Sequence, residues 1–371
     1  MSILVKYLTA MVKMDGSDLF LQAGKRPGIH VSGELKFYDT NVLDKALITT
    51  LVNELLACSP SQNDFATALQ ETGGADFSFR MSIDSVLRSF RVNIGTETNQ
   101  RFMTIRLISG DAFSPEELGL KKELMARIIG SRGNGGLYLV TGATGSGKST
   151  TLASIVNHIN YNYGWIVRTI ESPIEFYFPL DGKSMITQTE VPIHSKSFQL
   201  ALEATLRQKP DVIMVGEIRD SKALEVAVHA AATGHIVLTT LHTSSAAETI
   251  QRMLGMAPDI MKPNILSMLS SCLQGVISQQ LMPKVGGGRI MAYELLLSDP
   301  AIGHLIREGK IEQIPSKIQT GASKGMHTFD DYLIKLYREE LVTREVAITF
   351  ARNKEDVAKR IVSLQQSTKT A

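Results

Sequence analysis

The stretch from Gly142 to Ser149 combines residue types and a spacing that favour binding of a phosphate group. It reads Gly142-Ala143-Thr144-Gly145-Ser146-Gly147-Lys148-Ser149, in which two glycines bracket four residues and are followed by lysine and serine. This is the phosphate-loop pattern. An apolar run, 137–141, precedes it, and a segment of helical period follows as far as residue 161. A strand that enters a helix through glycines turns several backbone N–H groups toward one anion. The sequence therefore predicts a nucleoside triphosphate site formed by residues 142–150, with Thr150 as its last member.

Two side chains of this loop have roles in phosphoryl chemistry. Lys148 is expected to reach the β- and γ-phosphates, and the Ser149 hydroxyl is expected to coordinate magnesium. We therefore predict ATP and Mg²⁺ as ligands, with Ser149 as one metal ligand.

A second candidate comes from an apolar run with an acid at each end, Asp211 to Glu217. Read as a strand, this run separates the two carboxylates by roughly 20 Å. Ligands of open α/β sheets gather at the carboxyl ends of the strands. Only Glu217 is thus expected near the phosphates, as a catalytic residue and the second metal ligand, whereas Asp211 is expected to be structural. The alternative is that Glu217 merely faces solvent.

Two more acids, Glu171 and Glu175, follow the strand predicted over residues 165–170. Either carboxylate could orient or deprotonate the attacking water, a task that requires it to lie within one hydrogen bond of that water. Either could instead cap a loop. The residues alone leave this choice open.

Two histidines, His235 and His242, bracket the run 236–241. At the carboxyl end of that strand, His242 is expected to hydrogen-bond the γ-phosphate and report its presence. His235 lies at the opposite end and is expected to be structural, with an interface role left open. The alternative for His242 is a packing role, which is common for a lone histidine.

Composition places these motifs in an ordinary globular chain. The 371 residues are 43% hydrophobic and 20% charged, and the formal net charge is +2. At about 150 residues per domain, two domains are expected. Near-neutral charge and 6% aromatic residues give no support to nucleic-acid binding. The two cysteines, Cys58 and Cys272, are too far apart in sequence for a CxxC-type site, so no zinc is expected.

The region before residue 110 predicts a small mixed α/β domain. The first 13 residues are expected to form an amphipathic helix that packs on its own domain rather than on a membrane. A helix is expected over 43–58, and strands are expected over 18–21, 29–31, 34–37, 76–80, 89–93 and 102–106, with a hairpin turn at Ser32-Gly33. The last three strands and the residues beside them carry Arg80, Arg88, Arg91, Arg101 and Arg106. These arginines form either a solvated polar face or a functional one.

From about residue 118, strands and helices alternate, which predicts a mainly parallel sheet. Its expected strands are 137–141, 165–170, 211–216 and 235–241, followed by a hairpin around Gly286–Gly288. We expect a domain at 1–110, a hinge or linker at 111–117, an ATPase core at 118–298 and a helical segment at 299–371 that ends in a disordered tail from Gln365.

Together, these segments resemble the secretion and type IV pilus ATPases, and in particular the pilus retraction motors of the PilT/PilU group. The resemblance is carried by the phosphate loop, the acidic box 169–175, the strand end 216–219, the histidine box 233–243 and the segment 301–310. It implies an α/β fold with a RecA-like P-loop ATPase domain, a smaller PAS-like α+β N-terminal domain and a helical C-terminal segment. It selects Glu175 as the residue that activates water, and it implies that Arg91 and Arg106 stabilise charge on the γ-phosphoryl group.

The resemblance also implies a homo-hexamer in the cytoplasm, peripheral to the inner membrane at the pilus base, that acts on an inner-membrane platform protein with a sister retraction ATPase as a further partner. Segments 205–208 and 279–281 and the length after Phe329 favour the PilU-like branch. Ser172 and the pair Gly303-His304 depart from the family pattern, which usually has Asp and Arg-Asn there.

The predicted function is ATP-driven type IV pilus retraction, and hence twitching motility, by nucleotide-dependent domain rotation. A type II or type IV secretion ATPase that exports protein or DNA, a RecA-like nucleic-acid translocase and a ring subunit that binds nucleotide without hydrolysing it are the alternatives.

Overall fold

The computed structural model describes residues 2–31, 34–59, 61–98, 100–108 and 113–369, and the chain divides into two units. The first unit contains Met1–Ala112 together with Ser172–Tyr177 and Pro192–His194. The second contains Phe113–Glu171, Phe178–Val191 and Ser195–Ala371. The turn predicted at Ser32-Gly33 and residues 111–112 of the expected hinge lie outside the described residues.

The first unit has one six-stranded antiparallel sheet with strand order β3-β2-β1-β6-β5-β4. Its helices and strands are α1 (Ile3–Lys13), β1 (Gly16–Gln22), β2 (Gly28–Val31), β3 (Glu34–Phe37), α2 (Lys45–Cys58), α3 (Gln62–Glu71), β4 (Ala75–Ile83), β5 (Val86–Glu97) and β6 (Gln100–Ile108).

The core of the first unit follows directly from sequence periodicity. Helix α1 buries one apolar stripe, including Leu4, Leu8 and Met11, against the unit's own core, as its pattern predicts. Every second residue of β5 from Phe90 to Ile94 is buried, so one face of the sheet carries the core and the other carries polar side chains. Helix α3 was not predicted, because among its residues only Phe65 and Leu69 are buried and two apolar positions give little periodicity.

The second unit has a seven-stranded sheet with strand order β13-β12-β7-β11-β10-β8-β9, in which β13 alone runs antiparallel to its neighbour. Its elements are α4 (Lys122–Gly130), β7 (Gly136–Thr141), α5 (Lys148–Asn162), β8 (Ile166–Glu171), β9 (Met185–Glu190), α6 (Phe198–Leu206), β10 (Val212–Val215), α7 (Ser221–Ala232), β11 (Ile236–Leu241), α8 (Ala246–Met256), α9 (Lys262–Cys272), β12 (Leu273–Pro283), β13 (Arg289–Leu297), α10 (Pro300–Arg307), α11 (Ile314–Thr320), α12 (Phe329–Arg338), α13 (Arg344–Phe350) and α14 (Lys354–Lys369).

The four strands predicted for this sheet are all present. Strands β7, β10 and β11 are short, mainly apolar runs buried throughout, whereas β8 contains Arg168 and is only partly buried. Strand β9 was missed, since it lies at the sheet edge and only its last residue, Glu190, is buried. The expected disordered tail is corrected: α14 continues through Gln365 to Lys369, and the two residues after it, 370–371, lie outside the described ranges. No helix within the described ranges has the length and apolar character needed to span a bilayer.

Candidate nucleotide-binding site

The phosphate loop connects β7 to α5, as the sequence predicts, and glycines allow its path. Gly147 precedes the first turn of α5 with φ of 88°, and Gly145 has φ of 79°, a region that disfavours other residues. A Cβ on Gly142 would lie 2.3 Å from the Gln279 carbonyl oxygen and 2.5 Å from Ser146 Oγ. The loop thus folds closely against the sheet while Ala143, Thr144, Ser149 and Thr150 stay exposed.

Two buried groups of this loop suit an anionic ligand. Lys148 Nζ donates to the carbonyl oxygens of Gly142 and Ala143 at 2.9 and 3.0 Å, which holds its ammonium group at the mouth of the loop. Ser146 Oγ is buried without a hydrogen-bond partner among the described atoms. A buried hydroxyl with no partner is costly unless a ligand satisfies it. The loop therefore fits a phosphate group.

A side chain that sequence analysis did not assign to the site, Gln279 of β12, fixes this loop. Its Nε2 donates to the Ser146 carbonyl at 2.7 Å, and its Oε1 accepts from Thr151 Oγ1 of α5 at 2.9 Å. Gln279, Ser146 and Thr151 are 4%, 4% and 1% exposed. The available signal was that an amide follows a mainly apolar run, 275–278, in a largely buried strand, where a buried amide requires a hydrogen-bond partner.

The carboxyl ends of β10 and β11 bring Glu217 and His242 together. Strand β11 lies between β7 and β10, so both residues lie at the same sheet edge as the phosphate loop. His242 Nε2 is 3.4 Å from Glu217 Oε2, and Arg219 pairs with the other carboxylate oxygen. With adjacent strands about 4.8 Å apart, Glu217 is roughly two strand spacings from the loop. Oxygen ligands such as the Ser149 hydroxyl and the Glu217 carboxylate are those that Mg²⁺ prefers.

The opposite edge holds the residues expected to be structural. Asp211 accepts from Arg132 Nε at 3.0 Å and from the Ile166 backbone N–H at 2.8 Å. His235 Nδ1 lies 3.1 Å from the Ala230 carbonyl oxygen, at the end of α7. Both side chains therefore join neighbouring elements at the amino ends of the parallel strands.

In the first unit, Arg91 and Arg106 are direct partners across β5 and β6 and share the polar face of the sheet. Asp18 on β1 pairs in register with Arg106 and accepts from its Nε at 2.7 Å. Arg91 Nη1 lies 3.5 Å from Glu175 Oε1, so the segment Ser172–Tyr177 brings the predicted water-activating carboxylate beside this arginine.

Glu171, the other carboxylate considered for water activation, belongs to the second unit. It is 6% exposed at the end of β8 and accepts from Thr169 Oγ1 at 2.7 Å and from Gln188 Nε2 at 3.2 Å. The bond from Gln188 joins β8 to β9, and the bond from Thr169 lies within β8.

Two of the other arginines of the polar strands, Arg101 and Arg80, make local contacts. Arg101 donates to the carbonyl oxygens of Leu69 and Gly73, both at 3.2 Å, and so holds the end of α3, while Arg80 stacks 4.6 Å from the centre of the Tyr177 ring.

Among the described residues, no group of three or more His, Cys, Asp or Glu side chains is arranged to hold a metal ion, and the cysteines lie in different units. Burial raises the pKa of the Cys272 thiol to about 12, which disfavours the thiolate that zinc requires.

Comparison with known proteins shows that most of this chain is similar to secretion and pilus ATPases. Residues 4–289 match the family described as type II/IV secretion system protein. The chain is 40% identical over 344 residues to the type IV pilus retraction ATPase PilT of Pseudomonas aeruginosa, which covers 93% of this chain and 96% of that protein. Identity to the type IV pilus ATPase PilU of the same organism is 34% over 357 residues, which covers 95% and 89%. A crystal structure of the pilus retraction motor PilT with bound ADP has a TM-score of 0.85 and 37% identity, and the alignment covers 96% of this chain and 98% of that one. The higher identity with PilT gives no support to the PilU-like branch.

Proposed function

The chain belongs to the type II/IV secretion system protein family, and on that basis we propose that it is an ATP-hydrolysing motor that retracts type IV pili. The observation that carries this proposal is the meeting of three features at one sheet edge: the phosphate loop, Glu217 and His242. The likeness to the retraction motor PilT extends over both units rather than over the ATPase core alone, which favours retraction over export.

Binding of ATP rests on the second unit. The backbone N–H groups of residues 142–150 and the dipole of α5 hold the phosphates, and Lys148 leaves its loop carbonyls to reach the β- and γ-phosphates. Ser149 and Glu217 are the residues that would hold Mg²⁺, and the ion would supply positive charge to the site. His242, beside Glu217, hydrogen-bonds the γ-phosphate and is the group that distinguishes ATP from ADP.

Hydrolysis draws on charged groups of the first unit. Glu175 accepts a proton from the attacking water, and Arg91 and Arg106 stabilise the negative charge that grows on the transferring phosphoryl group. The ion pairs of Arg91 with Glu175 and of Arg106 with Asp18 hold these side chains on one face of the sheet. Fixed positions reduce the reorganisation that charge stabilisation requires.

In this proposal, release of the γ-phosphate after hydrolysis drives the mechanical step of the motor. We infer a rotation of the first unit about residues 111–117 as the output, since rigid-body domain shifts are a usual result of nucleotide switches. In this proposal the motor is a homo-hexamer, cytoplasmic and peripheral to the inner membrane, that acts on a platform protein and works beside a sister ATPase.

Two substitutions test the enzymatic part of the proposal. Lys148→Ala and Glu217→Ala are each expected to lower kcat for ATP hydrolysis by at least about 100-fold. Asp211→Asn is the matched control, because it changes the acid at the other end of the same strand, and its kcat per folded molecule is expected to stay within about twofold. Unchanged turnover in both site variants would refute the assignment.

A cellular measurement tests the retraction part. Pilus shortening, imaged by fluorescence in a strain that lacks this gene, is expected to return with the wild-type chain and not with Lys148→Ala. If the wild-type chain hydrolyses ATP but restores export of a protein instead of shortening, the secretion alternative is correct. Salt-sensitive filter binding of single-stranded DNA would instead indicate a translocase.

A further inference from the structure

The short segment that connects β11 to α8 begins with His242 and is fixed immediately after it. Thr243 is 4% exposed, and its Oγ1 lies 2.7 Å from Thr249 Oγ1. Ser244 donates from its backbone N–H and from Oγ to Glu248 Oε2, at 2.7 and 2.6 Å. The position of His242 therefore depends on how this segment is anchored.

One anchor comes from a distant part of the chain. Arg352, between α13 and α14, donates from Nη2 to the Ser244 carbonyl oxygen and from Nη1 to Glu294 Oε2. Glu294 lies on β13 and is 4% exposed, and its other oxygen accepts from the Ala246 backbone N–H at 2.8 Å. Arg352 thus neutralises a buried carboxylate and holds both sides of the segment that follows His242.

Arg352 is itself held by the C-terminal helices. Asp330 accepts from the backbone N–H groups of Arg352 and Asn353, each at 2.8 Å. The guanidinium group lies over the Phe329 ring, 5.1 Å from its centre. These contacts fix the direction from which the guanidinium approaches, so its two hydrogen bonds are made without a large loss of side-chain freedom.

We propose that Arg352 is a positioning residue for the γ-phosphate sensor: it fixes the 242–245 segment so that the site distinguishes ATP from ADP. This inference rests on the proposed role of His242. His242 Nε2 lies 3.4 Å from Glu217, a distance at which a shift of about 1 Å breaks or makes a hydrogen bond. The C-terminal segment thereby gains a role in the ATPase cycle: it sets the geometry of a residue at the far end of β11.

The test compares affinities for two nucleotides. Wild type, Arg352→Met and Arg360→Met would be titrated with fluorescent ADP and with a fluorescent non-hydrolysable ATP analogue. Arg352→Met is expected to keep its ADP affinity within about twofold and to lose about fivefold or more of its preference for the triphosphate, a coupling of the size usual between sites. Arg360 is the matched control, since it makes its ion pairs with Asp331 and Asp356 on the same C-terminal segment.

Arg360→Met is expected to keep the wild-type ratio of the two affinities. An unchanged ratio in Arg352→Met, or an equal loss in Arg360→Met, would overturn the inference. Because Arg352→Met leaves the Glu294 carboxylate buried without an opposite charge, a double variant, Arg352→Met with Glu294→Gln, is also tested, and the second substitution removes that charge. The double variant is expected to fold like wild type and still to lack the preference.

Failure of the underlying proposal gives a different result. His242→Ala must lose the same preference for the triphosphate. If His242→Ala keeps it, the sensor role fails, and if wild-type protein hydrolyses no ATP, the motor function fails as well. Loss of the preference in His242→Ala but not in Arg352→Met refutes the positioning role alone.

Discussion

Replacing Gln279 with leucine tests whether the phosphate loop is held from β12. Leucine has nearly the size of glutamine but cannot bond to the Ser146 carbonyl or to Thr151 Oγ1, and all three residues are at most 4% exposed. A buried polar group left without its partner costs about 1–3 kcal/mol. If the loop relaxes in the free protein and must be restored when nucleotide binds, a cost of about 1–3 kcal/mol raises Kd by roughly fivefold to 150-fold.

The loss of affinity is expected to be equal for ADP and for an ATP analogue, because the hydrogen bonds of Gln279, which we call the clamp, act on the phosphate loop rather than on His242. Fluorescent-nucleotide titration measures both values. Gln280→Leu is the control, since Gln280 is the same residue type on the same strand but exposed. A folded Gln279→Leu protein with wild-type Kd for both nucleotides would refute the clamp, as would an equal loss in Gln280→Leu.

Three further predictions concern other parts of the molecule. Gly142→Ala places a Cβ 2.3 Å from the Gln279 carbonyl oxygen at φ of 151°, so nucleotide affinity should fall at least about tenfold. A Gly142→Ala protein that binds nucleotide as tightly as wild type in calorimetry would contradict this prediction. Arg91→Gln should lower kcat about 100-fold with little change in Kd for ADP, whereas Arg80→Gln should leave kcat nearly unchanged. Equal losses of kcat in the two variants, measured in steady-state assays, would contradict the role of Arg91. Burial lowers the pKa of His327 from 6.5 to about 4. The unfolded chain therefore takes up this proton first, and stability is lost as pH falls from about 6.5 to 4, at about 1.4 kcal/mol per unit. His327→Phe should accordingly lose about 2 kcal/mol less than wild type between pH 7 and 5 in denaturant titrations, and equal losses would contradict the prediction.

Local patterns in the sequence were sufficient to predict where the phosphate loop lies in the fold and at which sheet edge Glu217 and His242 lie. The phosphate loop is contiguous, and the strands before Glu217 and His242 are short apolar runs, so the sheet-edge rule predicts which end of each strand meets the ligand. The structure places Asp211 and His235 at the other edge, where their bonds join neighbouring elements. The binding and catalytic roles assigned to individual residues of the site all remain predictions.

Contacts between distant parts of the chain could not be predicted in this way. Gln279 reaches the phosphate loop from a strand more than 120 residues later, and Arg352 reaches Ser244 across 108 residues. Neither residue belongs to a local motif, since a buried amide or an arginine on a helical segment has many possible partners. Which partner each residue binds depends on the strand order and on how the helices pack.

The amino-acid sequence by itself determined the place of the phosphate loop between a strand and a helix, the parallel strands and the edge at which Glu217 and His242 lie, because these depend on hydrophobic period and on backbone geometry within a few residues. Only the tertiary structure decided which side chains hold that loop and the 242–245 segment, and that α14 continues where a disordered tail was expected. The physical reason is that a buried hydrogen bond or ion pair requires two groups that meet in space. Where these groups are far apart along the chain, the packing of helices and strands decides which two of them meet.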